Sequence, residues 1–382
     1  MNRKIRVFGG IALGALALIF ILLGPAAPLF VRLGVKPICI QGDLPNLQIV
    51  PCPDLAESQL TSTPITLPTP AETTPIPIIV DDDGSPDGII ALLYFLRHPH
   101  YEVQAVTISP GEAHPDLFAS HVTRLLAAVG RAEIPVGVGR ATPLEGDNAF
   151  PDPWRQASDE FWGLSLPEAA PGAGPQPAAE LIVDTLSAAQ RPTAVFVSGP
   201  HTNLAEALRL DPSIGEDIRE ILVMGGSIYK PGNIASDWPA IDNRAAEWNI
   251  WVDPVAAWEV LAAGLPVQLM PLDGTNQVLW SDSDARAWAS SGTPEGSIAA
   301  DLLRRMLDSW SVEEAYIWDL AAAVATTDGQ LCPEVTLALD IELEAGPEQG
   351  RTFVLDGPAN AGVCLEPDPD RVRARAASIL GR

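Results

Sequence analysis

One stretch constrains the fold of this chain more than any other. The apolar run Ile78-Ile79-Val80 leads without a break into Asp81-Asp82-Asp83-Gly84-Ser85-Pro86-Asp87-Gly88, after which IIALLYFL resumes with helical spacing. A short continuous apolar run followed by a turn and an amphipathic segment reads as a buried strand feeding a covering helix. Ser85 is a good helix N-cap and Pro86 suits the first helical position, which puts Asp87 in the first turn. The same alternation recurs down the chain. Strands are predicted near Ile78–Val80, Val103–Ile108, Ala194–Val197, Ile221–Met224 and Val267–Met270. Helices are predicted at Asp87–Arg97, Pro115–Ala128, Pro177–Ala188, Thr202–Leu210, Pro254–Ala262, Ser297–Trp310 and Trp318–Thr326. This is the pattern of one α/β domain over residues 76–382, a Rossmann-like, mostly parallel central sheet with helices on both faces. Ligands of such sheets sit beyond the carboxyl ends of the strands, so the loops after the strands are where chemistry is expected.

The upstream segment reads differently. Arg3, Lys4 and Arg6 precede an apolar run from Val7 to Gly24, close to the ~18 residues that mark a membrane-spanning candidate. Residues 1–30 are therefore expected to be a signal anchor or signal peptide, with the anchor favoured because Pro25 to Pro28 makes a poor cleavage site. Residues 31–75 form a Pro/Thr-rich linker (TSTPITLPTPAETTPIP) that also carries Cys39 and Cys52. The rest is expected outside the cytoplasm, membrane-anchored or secreted. There the close pairs Cys39 with Cys52 and Cys332 with Cys364 would close as disulfides, the alternative being four free thiols. A formal net charge of -26 argues against a nucleic-acid partner, because a polyanion would be repelled. A small molecule is the expected partner, with membrane contact through the N-terminal segment only and homo-oligomerisation left open.

Four carboxylates at the end of one strand repel one another, and a buried cluster of this kind is tolerated chiefly when a cation neutralises it. Oxygen ligands point to calcium or magnesium rather than zinc. The bland reading is a solvated acidic turn that caps the helix. An apolar strand followed by DxDGS also resembles the nucleophile loop of haloacid-dehalogenase-type phosphatases, with Asp81 attacking phosphorus and Asp83 as acid/base. That chemistry wants a lysine near the phosphate, and only Lys4, Lys36 and Lys230 exist.

Further stretches narrow the choice. Ser198-Gly199-Pro200-His201-Thr202-Asn203 follows one strand, and Met224-Gly225-Gly226 follows the next. Glu247-Trp248-Asn249-Ile250-Trp251-Val252-Asp253-Pro254 enters a helix, and Trp318-Asp319-Leu320-Ala321 opens a late one. With the acidic loop, this ordered set resembles the inosine-uridine-preferring nucleoside hydrolase family, ribonucleoside hydrolases, over nearly all of Pro77 to Leu380. The resemblance implies hydrolysis of the N-glycosidic bond of ribonucleosides to free base and ribose by a calcium-bound water. It places Ca2+ on Asp83, the Thr202 carbonyl and Asp319, with Asp87 as a further candidate, and makes Asp83 the group that takes the proton from water. It assigns the sugar hydroxyls to Asp87, Asn233, Glu247 and Asn249, places Met224 beside the ribose, and gives Glu112 a ribose or base contact. Structural roles compete with these: a helix cap for Asp87, a loop turn for Asn233 and a buried hydrogen-bond partner for Glu247.

The chain departs from the family pattern twice. Relatives usually place a second aspartate after the one matched by Asp87, giving calcium two oxygens, and here that position is Gly88. The shortfall would fall to Asp87, Asp81 or water, or would leave a catalytically inactive nucleoside-binding protein of the same fold. Many relatives also have histidine before the late-helix aspartate as the acid for the departing base, and here it is Trp318. An indole is a poor proton donor but stacks on a purine. This arrangement resembles the purine-preferring members, with Trp162 as a second base-facing residue. Core packing competes for both tryptophans, and His201 is assigned no role.

Overall fold

A computed structural model describes residues 38–41, 48–51, 74–168 and 174–382. The expected membrane segment, most of the linker and the Cys39–Cys52 pairing lie outside the described residues. Among the described residues no helix is long and apolar enough to cross a membrane. The chain divides into two units, residues 1–64 and 65–382. The first contains an antiparallel hairpin of Ile38–Gln41 with Gln48–Pro51.

The second unit is built on a nine-stranded sheet. Its strands in chain order are β1 (Ile76–Asp82), β2 (Tyr101–Ile108), β3 (Val136–Val138), β4 (Gln176–Pro177) and β5 (Thr193–Val197). They continue as β6 (Ile218–Met224), β7 (Val267–Met270), β8 (Glu334–Leu337) and β9 (Ala361–Cys364). Across the sheet the order is β8-β9-β7-β6-β5-β1-β2-β3-β4, and only the β8–β9 pair is antiparallel. The chain works outward from β1 to β4 and then returns to pair β5 with the other side of β1. The order of strands therefore reverses between β1 and β5, and a crevice opens at such a reversal beyond the carboxyl ends.

Strand alternation divides the core between two faces. Ile78, Val80, Phe196 and Leu222 pack on one face with helices α1 (Pro86–Arg97), α2 (Pro115–Ala128), α7 (Pro294–Trp310), α8 (Trp318–Thr327) and α9 (Pro369–Leu380). Ile79, Val195, Val197, Ile221 and Val223 pack on the other with α3 (Ala178–Ala188), α4 (Thr202–Leu210) and α6 (Pro254–Ala262). Between α4 and α6 lies the one-turn helix α5 (Trp248–Val252). The start of α1 matches its sequence: the Ser85 hydroxyl accepts from the Gly88 N–H at 2.9 Å and Pro86 occupies the first turn. Cys332 and Cys364 form a disulfide whose Cα atoms are 5.7 Å apart.

Strands β3, β4, β8 and β9, helix α9 and a helix at Asp282–Ala289 were not anticipated from the sequence. β3 and β9 are three and four residues long and each carries a glycine, so they offer too little apolar alternation to read.

Candidate active site

At the strand reversal the loops after β1, β2, β5 and β6 surround a cavity of about 960 Å³. Its acidic floor comes from the β1–α1 turn and from the first turn of α8. Asp83 is 1% exposed and its Oδ2 accepts from the Glu112 N–H at 3.3 Å, while its Oδ1 is buried without a hydrogen-bond partner. Gly111 and Gly199 make this burial possible. A Cβ on either would lie within 2.5 Å of the Asp83 side chain, so the chain passes Asp83 on both sides only where there is no side chain.

Across the turn, Asp87 Oδ2 accepts from the Asp319 N–H at 3.2 Å, and the Ser85 hydroxyl donates to Asp319 Oδ2 at 2.9 Å. The two ends of α1 and α8 thus hold the carboxylates together across a separation of more than two hundred residues. Burial, followed by repulsion from Asp82 and Glu112, pushes the Asp83 carboxyl well above its ordinary range. Burial, followed by repulsion from Asp87, Asp83 and Asp82, does the same to Asp319. Asp87 is raised mainly by burial. Glu112 is pushed up to about 8 by burial and by Asp87, with the Ser158 hydroxyl donating to its Oε1 at 3.2 Å.

Asp82 and Asp81 point elsewhere. Asp82 Oδ1 accepts from Gly84 N–H at 2.8 Å and its Oδ2 from the Ser198 hydroxyl at 3.2 Å. A Cβ at Gly88 would come to 1.8 Å from Asp82 Oδ2, so the Asp82 carboxylate holds the room that a side chain at position 88 would need. Asp81 is fully buried, with Oδ1 taking hydrogen bonds from Thr107 at 2.6 Å and Asn203 at 2.7 Å. It does not line the cavity and is tied to Thr107 and Asn203, which removes it as a nucleophile toward phosphorus. Lys230, the one lysine of the α/β unit, is exposed and also absent from the lining. The phosphatase reading fails on both counts.

The remaining wall carries the expected sugar and base residues. Met224, Asn233, Glu247, Asn249, Trp162 and Trp318 all line the cavity together with Glu112, Asp83, Asp87 and Asp319. Glu247 caps α5, its Oε1 accepting from Asn249 N–H at 2.8 Å and its Oε2 from Gly226 N–H at 2.9 Å. Burial raises it to about 7 against the pull of these bonds. Asn249 Nδ2 donates to the Met224 carbonyl at 3.2 Å, and Asn233 Oδ1 is buried without a partner. Trp318 Nε1 donates to Asn276 Oδ1 at 2.8 Å, and both residues line the cavity. Trp162 sits with Phe161 in left-handed backbone, at φ 49° and 51°, and its carbonyl accepts from Arg305 Nη1 at 2.9 Å. Such backbone costs roughly 1–3 kcal/mol per residue and persists where its surroundings fix it.

Thr202 lies at the start of α4, fully buried, with its hydroxyl donating to Asp253 Oδ2 at 2.7 Å, and it is not among the residues lining the cavity. His201 is also buried away from the cavity, and burial lowers its imidazole to about 4. Sequence reasoning passed over Ser85 as more than a cap, and over Ser198, Asn276, Arg305, Phe150, Trp154 and Trp248, all of which line the cavity. Ser198 and Trp248 stood inside motifs already singled out, whereas Trp154 follows a Pro-Asp-Pro run that carries no chemical signal.

The donor set consists of hard oxygens and includes one buried, unpartnered carboxylate oxygen, which suits a hard divalent cation. No group of three or more His, Cys, Asp or Glu side chains among the described residues is arranged to hold a metal ion as it stands. A cation would therefore draw the carboxylates inward and use carbonyls or water besides.

Comparison with known proteins agrees with this geometry. The profile of a family described as inosine-uridine preferring nucleoside hydrolase matches residues 78–374. A pyrimidine-specific ribonucleoside hydrolase of Citrobacter koseri is 32% identical over 286 residues, covering 73% of this chain and 88% of the relative. In fold, the chain is similar to a plant nucleoside hydrolase, with a TM-score of 0.69 at 24% identity, covering 80% of this chain and 99% of the other. It is also similar to a purine-preferring ribonucleoside hydrolase from Gardnerella vaginalis, with a TM-score of 0.70 at 23% identity and the same coverage.

Proposed function

Since the chain belongs to the inosine-uridine preferring nucleoside hydrolase family and is a nucleoside hydrolase, we propose that it cleaves the N-glycosidic bond of purine ribonucleosides with Asp83 as the general base. The observation that carries this reading is the unpartnered, buried Oδ1 of Asp83 at the floor of the cavity. A water there would lie within reach of a carboxylate oxygen that no group of the protein occupies, placed to take its proton. A calcium ion held by Asp83, Asp319, the Thr202 carbonyl and Asp87 would lower the pKa of that water and offset the repulsion among the carboxylates.

The residues of the chain do the rest. Asp83 takes the proton as the water oxygen bonds to the anomeric carbon and the bond to the base nitrogen breaks. Asp87, Asn233, Glu247 and Asn249 hold the sugar hydroxyls, and the acidic floor favours the positive charge that develops on the sugar ring. The faces of Trp162 and Trp318 hold the base, and stacking favours the ring-protonated purine as leaving group. Trp318 Nε1 is engaged with Asn276, in keeping with a stacking role rather than a proton-donating one. The disulfide and the apolar run at Val7 to Gly24 support an extracytoplasmic location.

A pyrimidine preference is the second reading, favoured by the similarity to the pyrimidine-specific ribonucleoside hydrolase of Citrobacter koseri. The test is ribose release by the full chain from inosine, adenosine, guanosine, uridine and cytidine, with and without chelator. The proposal expects release that chelator abolishes, a higher kcat/KM for the purine nucleosides, and a loss of about 10²–10⁴-fold in Asp83→Asn. Release that ignores chelator would remove the cation, and binding without turnover would leave a nucleoside-binding protein.

A further inference from the structure

The cavity has two aromatic walls, and one nucleoside base can occupy only one of them. The first wall is Trp162 and Trp318, with Tyr316 at 5.6 Å and Trp310 at 6.3 Å from Trp318. Trp162 and Trp318 pack against the main core. The second wall is Phe150, Trp154 and Trp248. Phe150 stacks on Trp248 at 4.8 Å, and Trp154 lies 5.4 Å from Trp248 and 6.1 Å from Trp238. This group belongs to a separate cluster of its own with Ile234 and Trp251, and Phe150, Trp154 and Trp248 all face the same cavity as the first wall.

The second wall grows from the segments that supply the proposed sugar contacts. Trp248 stands between Glu247 and Asn249 in the chain, Ile234 follows Asn233, and Asp237 accepts from Trp248 Nε1 at 3.2 Å. In a β-ribonucleoside the base on C1′ and the hydroxymethyl group on C4′ rise from the same face of the ring, on either side of the ring oxygen. The 2′ and 3′ hydroxyls point to the other face. With those hydroxyls at the carboxylates and the base on the first wall, the group that meets the second wall is the one on C5′.

We infer that Phe150, Trp154 and Trp248 form a subsite for an uncharged apolar substituent on the 5′ carbon, such as an alkylthio or arylthio group. The inference rests on the sugar and base assignments proposed above. Size and charge both support it. At about 960 Å³ the cavity lies at the top of the range of ~300–1,000 Å³ usual for small-molecule sites. Among the described residues eight acidic side chains line it against one basic one, Arg305. That arginine is engaged with Asp301 and the Trp162 carbonyl. A 5′-phosphate would meet repulsion, whereas an aromatic or aliphatic group would be removed from water against flat ring faces.

The test uses C-nucleosides, whose carbon–carbon link cannot be hydrolysed, so that binding is measured apart from turnover. The full chain is titrated by calorimetry with a hypoxanthine C-nucleoside, its 5′-phenylthio derivative and its 5′-phosphate. The phenylthio compound is expected to bind at least ten-fold more tightly than the parent, about 1.4 kcal/mol, and the phosphate more weakly than the parent. Trp154→Ala is expected to abolish the phenylthio advantage, and Trp154→Phe, which keeps a ring, to retain most of it. Equal or weaker binding of the phenylthio compound, or an advantage that survives Trp154→Ala, overturns the inference. If Trp154→Ala fails to fold, the wild-type ratio and Trp154→Phe decide. Ribose release from inosine, measured in parallel, reads the hydrolase proposal separately: a phenylthio advantage without turnover would keep the subsite and sink that proposal.

Discussion

Replacing Gly88 by aspartate should destabilise this protein, although local helix energetics predict the opposite. An acidic residue in the first turn of a helix is favourable by about 0.3–1 kcal/mol through the dipole, and glycine at that position is a poor helix former. Against this stands a collision. A Cβ at position 88 would lie 1.8 Å from Asp82 Oδ2, 2.9 Å from its Cγ and 2.8 Å from the Ser85 hydroxyl. Asp82 cannot yield cheaply, because it is fully buried and holds the Gly84 N–H and the Ser198 hydroxyl. Each buried partner left unsatisfied costs ~1–3 kcal/mol, and disturbing the Ser85 cap adds ~1 kcal/mol. The net expectation is a loss of about 3–5 kcal/mol, which for a domain of this size lowers the melting temperature by roughly 5–15 °C.

A double-mutant cycle isolates the clash from other effects of the new charge. Asp82→Thr alone gives up hydrogen bonds at a cost of ~1–3 kcal/mol. Combined with Gly88→Asp it also vacates the contested space, so the double variant should lie within ~2 kcal/mol of wild type, with a coupling energy of at least ~2 kcal/mol. Thermal unfolding of the four full-length proteins in chelator measures all corners without cation binding. A melting temperature for Gly88→Asp within about 2 °C of wild type, or strict additivity in the double variant, would refute the claim that Asp82 occupies this space.

Glu247 gives a pH signature. Burial raises its carboxyl from 4.5 to about 7, so between those values the folded state holds a proton that the unfolded chain releases. Its contribution to stability is thus fully present below pH 4.5 and lost as pH rises to about 7. In chelator, Glu247→Gln should flatten the fall of melting temperature with pH across this window, and an unchanged slope would argue against the raised value. Arg305→Ala removes the donor to the Trp162 carbonyl and should raise the inosine KM more than it lowers kcat, because the strained Phe161-Trp162 backbone loses an anchor. An unchanged KM would show that the loop holds itself. Reducing Cys332–Cys364, or replacing both by serine, should cost about 2–4 kcal/mol in denaturant unfolding with turnover retained. No loss of stability would mean that packing around α9 already fixes that edge.

What could be read from sequence and what could not divide along physical lines. The central strands β1, β2, β5, β6 and β7 are legible because both faces of a parallel sheet are covered, which writes runs such as Ala194–Val197 as unbroken apolar stretches. The edge strand β4, two exposed residues long, pairs through its backbone and leaves no such trace. In the site, motif order identified the carboxylate loop after β1, because the loops beyond the carboxyl ends of the strands border the crevice. Among three consecutive aspartates, the resemblance picks out Asp83, and Asp83 is the one that lines the cavity. Alternation along β1 sends Asp81 and Asp83 to the same side by period two, yet Asp81 is tied to Thr107 and Asn203 while Asp83 reaches the cavity. The strand has ended by then: β1 stops at Asp82, and Gly84, at φ 91°, turns the chain.

That turn also accounts for the exchange at position 88. Asp82 is the last strand residue, and its carboxylate folds forward over the turn to take the Gly84 N–H. This places it above the first turn of α1, where only a glycine leaves room. Asp82 and Gly88 are therefore one structural decision written at two positions, and neither is intelligible from its own neighbours in the chain. A single substitution at either site tests only strain, whereas the pair tests the logic of the turn. The acidic loop is read correctly as a unit whose carboxylates are distributed by packing rather than by their order in the sequence.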